Sequence, residues 1–157
     1  MYKIPVGGIL QLRGLTMMEV LGLPNRPGYA GKILTLLGDA EINLHFIAEC
    51  EDSRGLANIA ICIDPEREQE AANIIHLYEK TDDSVTIIRR PHVSVITVYG
   101  PHFREKPAIC GNMCAALGEK DINILGISTS ISSVCSVVAD QDFEQAYEGL
   151  LTVFSLP

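Results

Sequence analysis

An internal repeat constrains this chain more tightly than any single motif. Leu37-Gly38-Asp39-Ala40-Glu41-Ile42-Asn43 returns as Leu117-Gly118-Glu119-Lys120-Asp121-Ile122-Asn123, 80 residues further on. The same offset of 80 pairs Pro27 with Pro107, Gly31 with Gly111 and Ile47 with Ile127. A spacing that holds from a proline through a helix into a strand marks a duplicated unit. Two copies fill the 157 residues, so whatever one copy folds into, the chain contains twice.

The first copy reads clearly. A strand over Thr16–Leu21 leads into a turn at Pro24-Asn25-Arg26-Pro27-Gly28, and a helix follows with Ala30, Ile33, Leu34 and Leu37 on one apolar face. Pro27 suits the helix start, where a missing N–H costs nothing. A strand over Ile42–Cys50 meets a turn at Asp52-Ser53-Arg54-Gly55. The return strand alternates, with Ala57, Ile59, Ile61 and Ile63 on one side. Asp64-Pro65 opens a second helix with a stripe of Ala71, Ile74, Ile75 and Tyr78, and a strand over Val85–Ile88 closes the unit. The order is β-α-β-β-α-β, a ferredoxin-like module of the α+β class.

The second copy runs through a strand over Val93–Tyr99, a helix from about Pro107 to Glu119, and strands over Ile122–Ser130 and Val134–Ala139. Its last helix presents Phe143, Ala146, Tyr147, Leu150, Leu151 and Phe154, and no final strand is expected after it. A sheet one strand short exposes an edge. The spare segment Val6–Leu12 is expected to fill that edge. The division is then residues 1–15 as a strand joining the second module, 16–91 as the first module and 92–157 as the second.

Composition narrows the function. With 47% hydrophobic residues, 20% charged residues and a net charge of −8, the chain reads as globular and acidic. That charge disfavours a phosphate backbone and an anionic membrane surface. No apolar run reaches the roughly 18 residues that a membrane span needs. Five cysteines are an odd count without zinc spacing, and without a signal peptide they are expected to be reduced packing residues in the cytoplasm. Cys110 and Cys114 share a helix face at i, i+4, which leaves a redox pair open there. His45, His76, His92 and His102 show no metal-ligand spacing. No metal and no cofactor are expected.

Leu21-Gly22-Leu23-Pro24-Asn25-Arg26-Pro27-Gly28 resembles the first strand and loop of an ACT domain, written G-x-P-D-R-P-G, and Ile42-Asn43-Leu44-His45-Phe46-Ile47 resembles its second strand. Ile122-Asn123-Ile124-Leu125-Gly126-Ile127-Ser128-Thr129-Ser130 with Val134-Cys135-Ser136-Val137-Val138 is similar to the second ACT module of aspartokinases, and Gly7-Gly8-Ile9 to the strand that completes it. The resemblance implies two tandem ACT modules, a small amino-acid effector and a homodimer with the effector at its seam. It implies regulation without catalysis, because nothing matches the opening strand of the kinase domain or a phosphate-binding loop. Three settings follow: a free-standing sensor, a separately made subunit partnering a catalytic kinase chain, or a regulator acting through another protein in transcription. The family's usual Asp in that loop is Asn25 here, and where the family often has Asp, and Gln or Thr, this chain has His45 and Glu49.

The expected ligand site lies at the head of the first helix. Gly28, Tyr29 and Ala30 would offer unbonded amides to a carboxylate, aided by the helix dipole. Asn25 and Asn43 would add side-chain bonds, and Glu49 would accept from the ligand's ammonium. In the second copy Asn123, Ser128 and Ser130 are the counterparts, although strand alternation and cross-strand pairing compete for the serines. Ala108 replaces the helix-start glycine there, so the first module is favoured as the effector site.

Overall fold

The repeat motif is a helix stop. In the computed structural model, which describes residues 2–78, 85–101 and 103–157, helix α1 (Tyr29–Asp39) and helix α3 (Ile109–Gly118) end in the same way. Glu41 and Asp121 both adopt left-handed backbone, each with φ 58°. The Ile42 N–H reaches back to the Leu37 carbonyl at 3.0 Å, and the Ile122 N–H to that of Leu117 at 3.1 Å. Glu41 and Asp121 donate to Gly38 and Gly118, each at 2.9 Å. This double closure satisfies the orphan carbonyls of a helix end and packs the following isoleucine against the leucine that accepts from it. Leu37, Ile42, Leu117 and Ile122 are all buried.

The chain divides into two compact units, Gly14–Pro91 and Met1–Arg13 with His92–Pro157. Two long strands contribute to both. Strand β2 (Gly8–Pro24) changes unit at Gly14, and β5 (Thr86–Tyr99) changes at His92. Each changeover residue has positive φ, 67° at Gly14 and 58° at His92. The separate strands read on either side of these positions are therefore single continuous strands.

In the unit Gly14–Pro91, β3 (Phe46–Glu51) is an edge strand beside β4 (Leu56–Ile63), which pairs antiparallel with β2. Strand β3 starts later than the hydrophobic pattern suggests, because Ile42–Leu44 is taken up by the helix stop and connection. Met18, Val20, Ile59 and Ile61 form the helix-facing stripe, with Met18 opposite Ile61 and Val20 opposite Ile59. Ile33 and Leu37 of α1, with Ala71, Ala72 and Ile75 of α2 (Glu68–Tyr78), cover it. Arg67 joins the two helices, its guanidinium donating to the Ala40 carbonyl at 2.5 Å and the Glu41 carbonyl at 3.2 Å. A cation there is favoured by the α1 dipole.

The β3–β4 turn is built on Asp52, whose carboxylate accepts from the Arg54 N–H at 2.8 Å and the Leu56 N–H at 3.2 Å. Partial desolvation acts to raise the Asp52 pKa, but these amides, with the Arg54 and Asn58 side chains, outweigh it and hold the carboxyl at about 2.

In the other unit, β6 (Gly126–Thr129) edges β7 (Ser133–Ala139), which pairs with β5 from Val93 to Tyr99. The Gly7 N–H donates to the Tyr99 carbonyl at 2.7 Å, which sets the leading segment beside the end of β5. Gly7 and Gly8 lie so close to the Tyr99 ring that a Cβ would fall 2.9 Å and 2.8 Å from it. Arg13 is held by Asp140 and Glu144 and lies over the Phe143 ring, 4.2 Å from its centroid. A short final strand does follow helix α4 (Phe143–Val153): β8 (Phe154–Ser155) pairs parallel with β1 (Ile4–Pro5). Phe154 caps α4 and is fully buried. Among the described residues no helix is long and apolar enough to cross a membrane.

Phe154→Ala is expected to cost about 3–5 kcal/mol in urea unfolding, whereas Leu156→Ala, 42% exposed, leaves stability nearly unchanged. The Asp52 carboxyl titrates below its ordinary value of 3.8, so its contribution is complete above about pH 4 and disappears as pH falls toward 2. The stability gap between the parent chain and Asp52→Asn, followed by unfolding at a series of pH values, should close over that interval.

Candidate functional site

A cleft opens where β2 hands over to α1, and a break in the ladder aims it. The β2–β4 register shifts between Val20 and Leu23, and Gly22 sits at φ 81°, a conformation glycine adopts without steric cost. The Gly22 N–H donates to Asn58 Oδ1 at 3.0 Å, and Asn58 Nδ2 donates in turn to Asp52 Oδ2 at 3.3 Å. Such a bulge bends the strand. Leu23 and Pro24 then pair with Ala57 and Leu56, and the chain leaves the sheet through Asn25 and Arg26. Gly28, at φ 80°, turns it into α1.

The resulting cavity has a volume of about 200 Å³, below the roughly 300–1,000 Å³ of sites for drug-sized ligands. Leu23 and Ala57 provide its apolar lining, and Asn25, Arg26 and Glu49 its polar side chains. Gly28, Tyr29, Ala30 and Gly31 bring the first turn of α1 to it. The Tyr29 amide is engaged, donating to the Arg26 carbonyl at 3.1 Å. This corrects the expectation of three unbonded amides, because the Pro27-Gly28 turn closes on itself. Among the described residues, the amides of Ala30 and Gly31 have no recorded protein acceptor, and α1 has no side-chain cap. Unpaired donors at the positive end of a helix suit a small anion.

Glu49 stands on edge strand β3, and its neighbour on the same face, Glu51, accepts from Asn25 Nδ2 at 2.6 Å. This bond ties the entry loop to the edge strand. An aspartate at position 25 would repel Glu51, so asparagine is what permits it. The Tyr29 ring meets Tyr78 of α2 edge-on, with centroids 5.1 Å apart. On the flank of α1 a broader apolar recess of about 490 Å³ is lined by Gly31, Lys32, Leu36 and Tyr78.

Asn25, Gly28, Tyr29, Ala30 and Glu49 therefore lie together around one cavity. Asn43 does not join them: it is exposed on the connection after the helix stop. Asn123, Ser128 and Ser130 belong to the other unit. There Ser130 Oγ accepts from the Ser133 N–H at 3.1 Å and lies 2.9 Å from Ser133 Oγ, shaping the β6–β7 turn. Arg26 and Gly31 line the cavity without having been singled out. A cation and a second small residue flanking Pro27-Gly28 were the available signals.

At the 80-residue offset the second copy is built differently. Ala108 has φ −91° where Gly28 is left-handed. Ile109, the counterpart of Tyr29, is buried in the core with Phe103, the counterpart of Leu23. His45, at the family's aspartate position, lies with Nε2 3.0 Å from Asp64 Oδ1. Among the described residues no three His, Cys, Asp or Glu side chains group as a metal site. His102 lies outside the described residues.

Comparison with known proteins agrees with this architecture. Residues 16–89 match the ACT domain family, and residues 96–154 match a second ACT domain family. The aspartokinase of Mycolicibacterium smegmatis is 26% identical over 153 residues, which is 95% of this chain but 36% of that protein. The chain thus spans about a third of the length of this relative. The regulatory subunit of aspartate kinase from Thermus thermophilus, solved in a ligand-free form, superposes with a TM-score of 0.84 at 20% identity, covering 96% of this chain and 99% of that one. E. coli aspartokinase III, solved in complex with lysine and aspartate, gives a TM-score of 0.70 at 14% identity over 96% of this chain and 33% of that one. The chain belongs to the ACT-domain family, as two ACT domains in tandem that resemble the regulatory part of aspartokinases.

Proposed function

We propose that the chain is a non-catalytic regulatory protein that binds a small free amino acid in the cleft at the head of α1. The carrying observation is the arrangement in that cleft of helix-start amides and Arg26 with Glu49. A zwitterion needs both kinds of partner. Its carboxylate takes donors from Ala30, Gly31 and the Arg26 guanidinium. Its ammonium takes the Glu49 carboxylate and, on displacement of Asn25, that of Glu51. Gly28 lets the ligand approach the backbone closely. Asn43, Asn123, Ser128 and Ser130 lie outside this cleft, so on this reading any role they have depends on a second copy of the chain.

A homodimer is part of the proposal. Leu36 is 39% exposed beside the apolar flank of α1, and a seam there would place a second copy next to the cleft. Ligand and assembly would then be coupled by about 1–3 kcal/mol, the usual range for allostery. The physiological partner proposed is a catalytic aspartokinase chain in the cytoplasm. End-to-end coverage of a solved chain described as a regulatory subunit supports that setting. The proposed role includes no nucleic acid, membrane, metal or cofactor.

A thermal-shift screen of the twenty amino acids at millimolar concentration tests the ligand claim. A ligand at a hundredfold excess over its Kd stabilises the folded state by about 2.7 kcal/mol, and no shift with any of them sinks the reading. Gly28→Val is a poor probe of the cleft, because a β-branched residue at φ 80° is strained by itself. Gly31→Leu is cleaner: Gly31 lies in α1 with open space around its Cβ position. Its side chain should fill the cleft and abolish the shift while the unliganded melting temperature stays level or rises. Glu49→Gln should weaken binding about tenfold, roughly 1.4 kcal/mol, by removing a charge-assisted bond. Co-purification with a tagged aspartokinase catalytic chain tests the partner, and a chain that remains alone favours the free-standing sensor.

A further inference from the structure

Cys110 and Cys114 are free, half-buried and one turn apart on α3. Side chains at i and i+4 share a face, with Cβ atoms about 5–6 Å apart. A disulfide needs Cβ atoms about 3.5–4.5 Å apart. An S–S bond would therefore distort a turn that is intact, with the Asn112 N–H bonded to the Ala108 carbonyl at 2.9 Å. The two thiols nonetheless lie on the same face of one helical turn. Burial, with Cys110 alongside, pushes the Cys114 pKa up, so this thiol is protonated at neutral pH. A pair one turn apart, too wide for a direct bond, suits a ligand that places one atom between two sulfurs. Tetrahedral zinc would need more ligands, and among the described residues no third His, Cys, Asp or Glu joins the pair.

We infer that Cys110 and Cys114 form a two-thiol site for a soft, thiophilic centre of the trivalent organic arsenical class. Soft centres select sulfur ligands. In water the arsenical is a dihydroxide, R–As(OH)₂. Each sulfur forms a bond to arsenic as one As–O bond breaks, and each thiol proton leaves with the released hydroxide as water. Two As–S bonds and two waters result, arsenic stays trivalent, and no oxidant is consumed. A protonated thiol is a competent reactant for this exchange. The other cysteines stand apart from the pair: Cys50 is exposed, Cys62 is buried, and Cys135 lies against Thr97 Oγ1 at 3.1 Å. Cys110 packs against the core of its unit, so the bridge would brace the first turn of α3. This site is independent of the amino-acid cleft.

The test treats the full, reduced chain with phenylarsine oxide and reads the intact mass without denaturant. The expected product carries one phenylarsenic per chain, is reversed by ethanedithiol and resists a monothiol. Cys110→Ser and Cys114→Ser should each weaken binding at least tenfold, while Cys50→Ser and Cys135→Ser leave it unchanged; circular dichroism checks that each variant folds. Binding that survives either of the first two substitutions, or falls with either of the last two, overturns the assignment. So does a Cys110–Cys114 disulfide formed with diamide, which would make the pair a redox couple.

Discussion

Each half of the chain depends on stopping its first helix and leading, through a short connection, into an edge strand. One left-handed residue does this, Glu41 in one copy and Asp121 in the other. Neither is glycine, so each costs about 1–2 kcal/mol of backbone strain. Two carbonyl closures and the packing of the next isoleucine onto the accepting leucine offset that cost. Without the stop, β3 and β6 could not lie against β4 and β7, and Glu49 would have no fixed place beside α1.

The duplicated frame carries unequal ends. Gly28 opens a cleft in one copy, whereas Ala108 and the buried Ile109 and Phe103 fill the corresponding place in the other. The difference lies at the helix entry, where only Pro27 and Pro107 agree between residues 23–30 and 103–110, while the helix stop is common to both. A small cavity with donors and an acid on opposing elements is a direct product of a strand bulge at Gly22, a left-handed turn at Gly28 and an edge strand that ends near both.

Much of this was legible in the chain. The stop motif exposed the repeat, because its Leu, Ile and acidic residues are fixed by geometry and not merely by burial. The stripe Ala57, Ile59, Ile61 and Ile63 gave the helix-facing side of β4, since one face is covered and alternation follows. The continuity of β2 and β5 was hidden. Gly14 and His92 take left-handed backbone inside strands that continue through them. The two-residue strand after α4 was hidden as well, because Phe154 continues the apolar face of the helix before it. At the cleft, the Pro27-Gly28 turn pointed to Asn25, Gly28, Tyr29 and Ala30, and charge alone to Glu49; all five line one cavity. Neither signal could show that Tyr29's amide is spent on Arg26, or that Asn43 follows a stop that carries it away from the cleft.

The leading strand also has a bearing on how the molecule is made. Val6 hydrogen-bonds to the carbonyl of Ser155, nearly the whole chain away, and Ile4–Pro5 pairs with Phe154–Ser155. Residues 4–6 can thus pair only once residues 154–155 are present. Gly14–Pro91 is contiguous in sequence, whereas the other unit must bring together the two segments that flank it. Such distant pairings slow folding in proportion to the entropy of that closure, so the two halves, alike in architecture, reach it on different clocks.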